Sequence, residues 1–166
     1  SAAGDSFLAA LTLAREGKNE EALAALAALE KDGFGSYPVL ARMRSASLLA
    51  TTDAQGAVNA FTAIAKDSSV PQALRDAARL RAAYLLVDTG TYDQGSAEAE
   101  QLATPQSALR HSAREVLGLS AFKHEDYARA KEWFDAIIAD SESPRNVANR
   151  AQMLLDLIAA SGKLSS

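Results

Sequence analysis

The chain has 166 residues, no cysteine and a formal net charge of −4, with 17 basic and 21 acidic residues. This length suits a single domain that buries roughly two-thirds of its unfolded surface on folding. The lack of cysteine excludes disulfides, thiol nucleophiles and zinc knuckles, and the interspersed charges leave no basic patch for nucleic acid. We therefore expect no nucleic-acid role.

Apolar spacing and helix breakers predict nine helices, arranged as four pairs and a closing helix. The predicted pairs cover residues 5–33, 36–67, 71–104 and 107–141, and the closing helix covers residues 144–161. Gly17 ends the first helix, Asp53 caps the fourth, and Pro71 and Pro144 open the fifth and ninth. The sequence predicts one all-α domain over residues 1–166.

Individual helix boundaries follow from the same signals. The first helix is predicted to start at Phe7, and the sixth to run from Tyr92 to Ala103. The seventh is predicted to start at Ser107 and the eighth at Glu125.

A stripe of apolar residues recurs in the second helix of each pair. A small residue comes first, at spacings of 35, 38 and 35: Ala22, Ala57, Gly95 and Ala130. Larger residues mostly follow four and seven positions later, namely Leu26, Phe61, Ala99 and Phe134, then Leu29, Ile64, Leu102 and Ile137. The small residue lets paired helices approach, and the later ones fill the groove against the next pair. The third pair departs most from this pattern.

Arginines recur in the first helices at Arg42, Arg79 and Arg114, with a shifted Arg150 in the closing helix. In one interpretation each arginine packs its stem between pairs and bonds to carbonyls or to an acid such as Asp76 or Glu115. In the other, the arginines form a polar ladder that grips carboxylates of a partner. The register of Arg114 favours packing, because it faces its own partner helix.

The period and the small-to-large step resemble tetratricopeptide repeats, most closely at Leu117-Gly118, Ala130, Phe134 and Pro144. Arg114 and Ala121 stand where that repeat carries large aromatic residues. The resemblance implies a divergent right-handed solenoid of four helix pairs plus a C-terminal capping helix.

The order of segments is similar to the tetratricopeptide-like domain of the bacterial YfgM-like family, alphaproteobacterial type, whose members are ancillary subunits of the Sec translocon. The similarity is carried by residues 7–11 with Gly17, 80–88 and 110–119. It implies an inner-membrane protein whose domain faces the periplasm and associates with the translocon and periplasmic chaperones. The implied anchor is absent from this chain, which begins without methionine and is expected to be processed or trimmed.

The sequence contains few of the residue patterns that are typical of catalytic sites. His111 and His124 fall in different settings, near a helix start and in a turn, and no HExxH, P-loop or GxSxG motif is present. We expect both histidines to have surface or capping roles. The chain is predicted not to be an enzyme, with no catalytic residue, no metal and no cofactor.

A candidate partner-binding face lies on the first helices, offset from the packing stripe. Its residues are Leu80, Tyr84, Val87, Glu115, Leu119 and Phe122. Such a largely apolar groove suits a hydrophobic peptide or helix. Alternatively, the ninth helix covers the groove through Met153, Leu154, Leu157 and Ile158, or simply caps the last pair.

Two functions remain open from the sequence. The first is a periplasm-facing module that binds a protein or peptide partner through the groove or an end of the array. The second is a cytosolic tetratricopeptide adaptor that binds acidic peptide tails through the arginine ladder. The oligomeric state is left open.

Overall fold

The computed structural model describes residues 1–164, which form nine α-helices, one short 3-10 helix and no strand. The helices are α1 (Ala2–Arg15), α2 (Asn19–Asp32), α3 (Tyr37–Leu49), α4 (Ala54–Lys66), α5 (Gln72–Thr89), α6 (Tyr92–Ala99), α7 (Arg110–Lys123), α8 (Tyr127–Ala139) and α9 (Arg145–Ser161), with the 3-10 helix Glu100–Leu102 after α6. The predicted all-α class is confirmed.

The chain divides into two compact units after Ala78, inside α5. In the first unit α1 packs on α2, α2 on α3, and α3 on α4. In the second unit α6 packs on α7, α7 on α8, and α8 on α9. Neighbouring helices in the chain are therefore neighbours in space within each unit.

The recurring stripe of the second helices is buried in every pair. Its small residues, Ala22, Ala57, Gly95 and Ala130, are all buried. The following positions are at most 6 % exposed: Leu26, Phe61, Ala99, Phe134, Leu29, Ile64, Leu102 and Ile137. Burial of a large apolar side chain contributes about 1.5–3 kcal/mol, so this stripe holds much of each unit's core.

Local chemistry fixes the helix ends. Asp53 accepts the backbone N–H of Gly56 at 2.9 Å, which confirms it as the cap of α4. Gly17 and Gly162 have φ of +79° and +70°, a left-handed conformation that glycine adopts without steric cost, and they follow α1 and α9.

Three predicted helix starts were wrong. α1 begins at Ala2 rather than Phe7, because the Ser1 hydroxyl caps the N–H of Gly4 at 3.1 Å. This also moves the start of the first pair ahead of residue 5. α7 begins at Arg110 rather than Ser107, because Ser107 closes a turn in which its hydroxyl accepts the N–H of Leu109 at 3.1 Å.

The eighth helix also starts later than predicted, at Tyr127 instead of Glu125. Glu125 has a φ of +62°, which a helix cannot continue through. Asp126 then accepts the N–H of Arg129 at 3.2 Å and serves as the cap.

The sixth helix is the shortest, with α-helical geometry ending at Ala99 instead of Ala103. Four of its eight residues are Gly95, Ser96, Ala97 and Ala99. Glycine and serine stabilise a helix interior less than alanine or leucine, and none of these side chains offers much apolar area to bury.

Within residues 1–164 no helix is both long and apolar enough to cross a lipid bilayer.

Candidate partner-binding surface

The recurrent arginines are engaged within the chain. Each donates to a carboxylate from the second helix of its own pair or the residue just after it: Arg42 to Asp67 at 2.7 Å, Arg79 to Glu98 at 3.1 Å and Arg114 to Asp140 at 2.8 Å. The Arg79 and Arg114 side chains are only 15 % and 11 % exposed. This arrangement resembles the packing interpretation more than a ladder of free guanidinium groups.

Asp140 is the carboxylate of this set that pairs with two arginines. It accepts the Nε of Arg110 and the Nη1 of Arg114, both at 2.8 Å, and the N–H of Glu142 at 3.0 Å. The hydrogen bonds from Arg110 and Arg114 hold the pKa of Asp140 well below its usual range. Asp140 thus fastens the end of α8 to α7.

Asp67 plays the same part at the end of α4. Hydrogen bonds from the side chain of Ser69 and then from Arg42 lower its pKa to about 2. Because this value lies below that of an unfolded aspartate, about 3.9, the contact stabilises the fold above that pH. The stabilisation is lost as the pH falls toward 2.

Sequence reasoning missed Asp67 and Asp140 as the partners of Arg42 and Arg114. A signal was nevertheless present, because each aspartate follows the small residue of its own second helix by ten positions, counted from Ala57 and Ala130. The partner therefore recurs at the same spacing in the second and fourth pairs, whereas Arg79 of the third pair bonds to Glu98.

Five residues of the predicted binding face are half-buried: Leu80, Tyr84, Val87, Leu119 and Phe122. Tyr84 and Val87 pack against the cluster that contains Ala83 and Ala99. Leu119 and Phe122 pack against a different cluster, around Phe134. These side chains support the core while part of each remains open to solvent.

Glu115, the sixth residue of that face, is only 5 % exposed. It accepts two hydrogen bonds from Arg150 of α9, at 2.8 and 3.0 Å. Burial, followed by the charge of Glu115, raises the pKa of the Tyr84 phenol on α5. Glu115 thus joins α7 to α9 through the two hydrogen bonds from Arg150.

The closing helix caps the fourth pair with one face only. Ile158 is 1 % exposed and Leu154 packs beside it in the cluster around Phe134. Met153 and Leu157 lie on the other face and are 57 % and 52 % exposed. Of the residues expected to cover the groove, these two instead face solvent.

Both histidines make local contacts. His111, the second residue of α7, lies 3.2 Å from the Ser143 hydroxyl and 3.8 Å from Asp140. His124 follows α7, and its Nδ1 lies 2.8 Å from the carbonyl of Ser120. The Ser143 hydroxyl donates its hydrogen bond to the carbonyl of Ile137 at 2.7 Å, so its proton is not directed at His111.

No protein-family model, no curated protein and no solved structure matches this chain.

Proposed function

We propose that this chain is a non-catalytic protein-binding module built as a divergent tetratricopeptide-like solenoid of four helix pairs and a closing helix. The proposal is carried by one observation, the buried small-to-large stripe that recurs in α2, α4, α6 and α8. Arrays of this kind present the first helices of their pairs as an extended binding surface. Because fold alone does not specify function, the binding role needs its own test.

The partner-binding surface of the proposal is the exposed part of Tyr84, Leu119 and Phe122 on α5 and α7. These side chains combine apolar bodies with a fixed position on helices, which is what recognition of a hydrophobic peptide or helix requires. The arginine ladder is the weaker alternative, since Arg79 and Arg114 already bond to carboxylates of this chain.

We propose further that the module faces the periplasm in a protein anchored to the inner membrane, with the Sec translocon and periplasmic chaperones as partners. Support comes from the segment similarity at residues 7–11, 80–88 and 110–119. Protease accessibility in spheroplasts tests the compartment. Protection of the module there would place it on the cytosolic side and favour the adaptor function.

Site-specific photo-crosslinking in the native envelope tests the binding surface. A photoreactive phenylalanine at position 84 or 119 should give adducts with translocon or chaperone subunits. The matched control is position 135, where the exposed Asp135 on α8 pairs with Lys131. Equal adduct yields from position 135, or none from position 84 or 119, would overturn the assignment.

A further inference from the structure

A groove of about 390 Å³ lies between α6 and α8, on the second helices rather than on the proposed partner-binding surface. It is lined by Tyr92, Asp93, Glu100, Arg129, Glu132 and Trp133, together with small residues of α6. The volume is near the lower end of the roughly 300–1,000 Å³ of ligand pockets. Because the groove is open to solvent, it suits one long side chain of a partner better than an enclosed small molecule.

The irregular third pair accounts for the groove. Ser96 and Ala97 present little side-chain volume to α8, so the space between the helices is not filled from α6. Trp133 of α8 packs against the cluster that contains Ala99. Its Nε1 atom donates to the hydroxyl oxygen of Tyr92 at 3.4 Å. Two aromatic side chains are thereby held side by side in the groove.

The charges of the groove favour a cation. Three carboxylates, Asp93, Glu100 and Glu132, share the lining with one guanidinium. That guanidinium, from Arg129, lies 4.7 Å from the centre of the Tyr92 ring, and its Nε is 3.6 Å from Asp126. The groove already accommodates a guanidinium on one of its rings and retains an excess of negative charge.

The chemistry also narrows the kind of cation. Within residues 1–164 no group of three or more histidine or acidic side chains is close enough to hold a metal ion. The separated carboxylates and the neighbouring rings instead match a planar organic cation, which combines ion pairing with contact over an aromatic face.

We propose that the groove between α6 and α8 docks an arginine side chain from a basic segment of a partner protein. The guanidinium contacts Trp133 and pairs with Glu100 and Glu132, and the aliphatic stem lies along Ala97. The groove is lined by other residues than the proposed surface on α5 and α7, so a partner engaging both would gain affinity through two linked contacts.

Tryptophan fluorescence tests the proposal directly, because Trp133 is the only tryptophan in the chain. The probe is a seven-residue glycine peptide with two arginines, and the matched peptide carries glutamines instead. We expect a saturable change in Trp133 emission with the arginine peptide alone, weakening as salt screens the charges. No saturable change, or the same change with the glutamine peptide, would overturn the proposal.

Variants then locate the binding. The double variant Glu100→Gln with Glu132→Gln removes both carboxylates. Its affinity for the arginine peptide should be about three- to tenfold lower, as expected for the loss of two exposed charge pairs. Asp135→Asn removes an exposed charge of α8 outside the groove and should leave the affinity unchanged. Circular dichroism checks that each variant is folded. Equal affinity in the double variant and the control would place the peptide elsewhere and contradict the proposal.

Discussion

The second helices of the third and fourth pairs begin alike and then diverge. In the third pair, Tyr92 is followed three residues later by Gly95 of α6 and ten residues later by Leu102 of the 3-10 helix. In α8, Tyr127 is followed at the same intervals by Ala130 and Ile137. Seven residues after the tyrosine, however, α6 carries Ala99 where α8 carries Phe134, although both side chains are fully buried.

This difference shows how one side-chain volume shapes a helix pair. In the fourth pair the Phe134 ring packs directly over Gly118 of α7. In the third pair the core instead joins Ala83 with Ala99, and Trp133 of the next pair packs against that cluster. The third pair therefore lacks a fully buried aromatic ring, and it has a shorter second helix and an open groove beside it.

The largest expected effect comes from replacing Phe134 of the fourth pair by alanine, the residue that the third pair carries at the equivalent position, Ala99. Phe134→Ala removes a ring that is 0 % exposed and leaves a cavity over Gly118. We expect the free energy of unfolding to fall by about 3–5 kcal/mol. Urea denaturation of the variant measures this loss. A loss under about 1 kcal/mol would mean that the fourth pair does not depend on its aromatic residue.

A smaller destabilisation should follow from adding a methyl group at Gly118, in the space that the Phe134 ring occupies. A Cβ atom at Gly118 would lie 2.5–2.9 Å from three atoms of the Phe134 ring, so Gly118→Ala forces the ring or the helices to move. We expect overpacking to cost about 1–3 kcal/mol, despite alanine's better helix propensity. Thermal unfolding alongside wild type would detect it, and an unchanged or raised Tm would contradict the close packing of this pair.

The same substitution in the third pair should have the opposite sign. A Cβ atom at Gly95 would meet its nearest neighbours, Leu86, Ala83 and Ser120, at 3.5–3.9 Å, which is ordinary van der Waals contact. Because glycine costs a helix interior up to about 1 kcal/mol relative to alanine, we expect Gly95→Ala to stabilise the protein by about 0.5–1 kcal/mol. Urea denaturation measures the gain. A loss of stability would show that α6 needs its glycine.

Much of the fold could be predicted because it depends on local patterns. The burial of Ala57, Phe61 and Ile64, for example, follows from helical periodicity together with the alternation of small and large residues. Caps such as Asp53 are equally local. Helix starts were less predictable where a short turn or a left-handed residue such as Glu125 competes with helix propensity.

The candidate sites were harder to predict because they depend on contacts between distant residues. Arg42 and Asp67 are 25 residues apart, and the Arg150 contact that buries Glu115 spans 35. The irregularity of the third pair could be recognised in the sequence, because Ala99 stands where the second and fourth pairs carry an aromatic residue. The resulting groove could not be recognised there, since it requires knowing that Trp133 packs against α6 and that Tyr92 lies beside it.

Native-state amide hydrogen exchange on α6 and α8 tests the central claim most directly, because it compares the local stability of the two helices in one molecule. We predict that amides around Ala99 exchange through local openings of lower free energy than amides around Phe134. Gly95→Ala should reduce the difference in opening free energy between the two helices. Equal protection of the two helices, or greater protection of α6, would contradict the account of a weakened third pair.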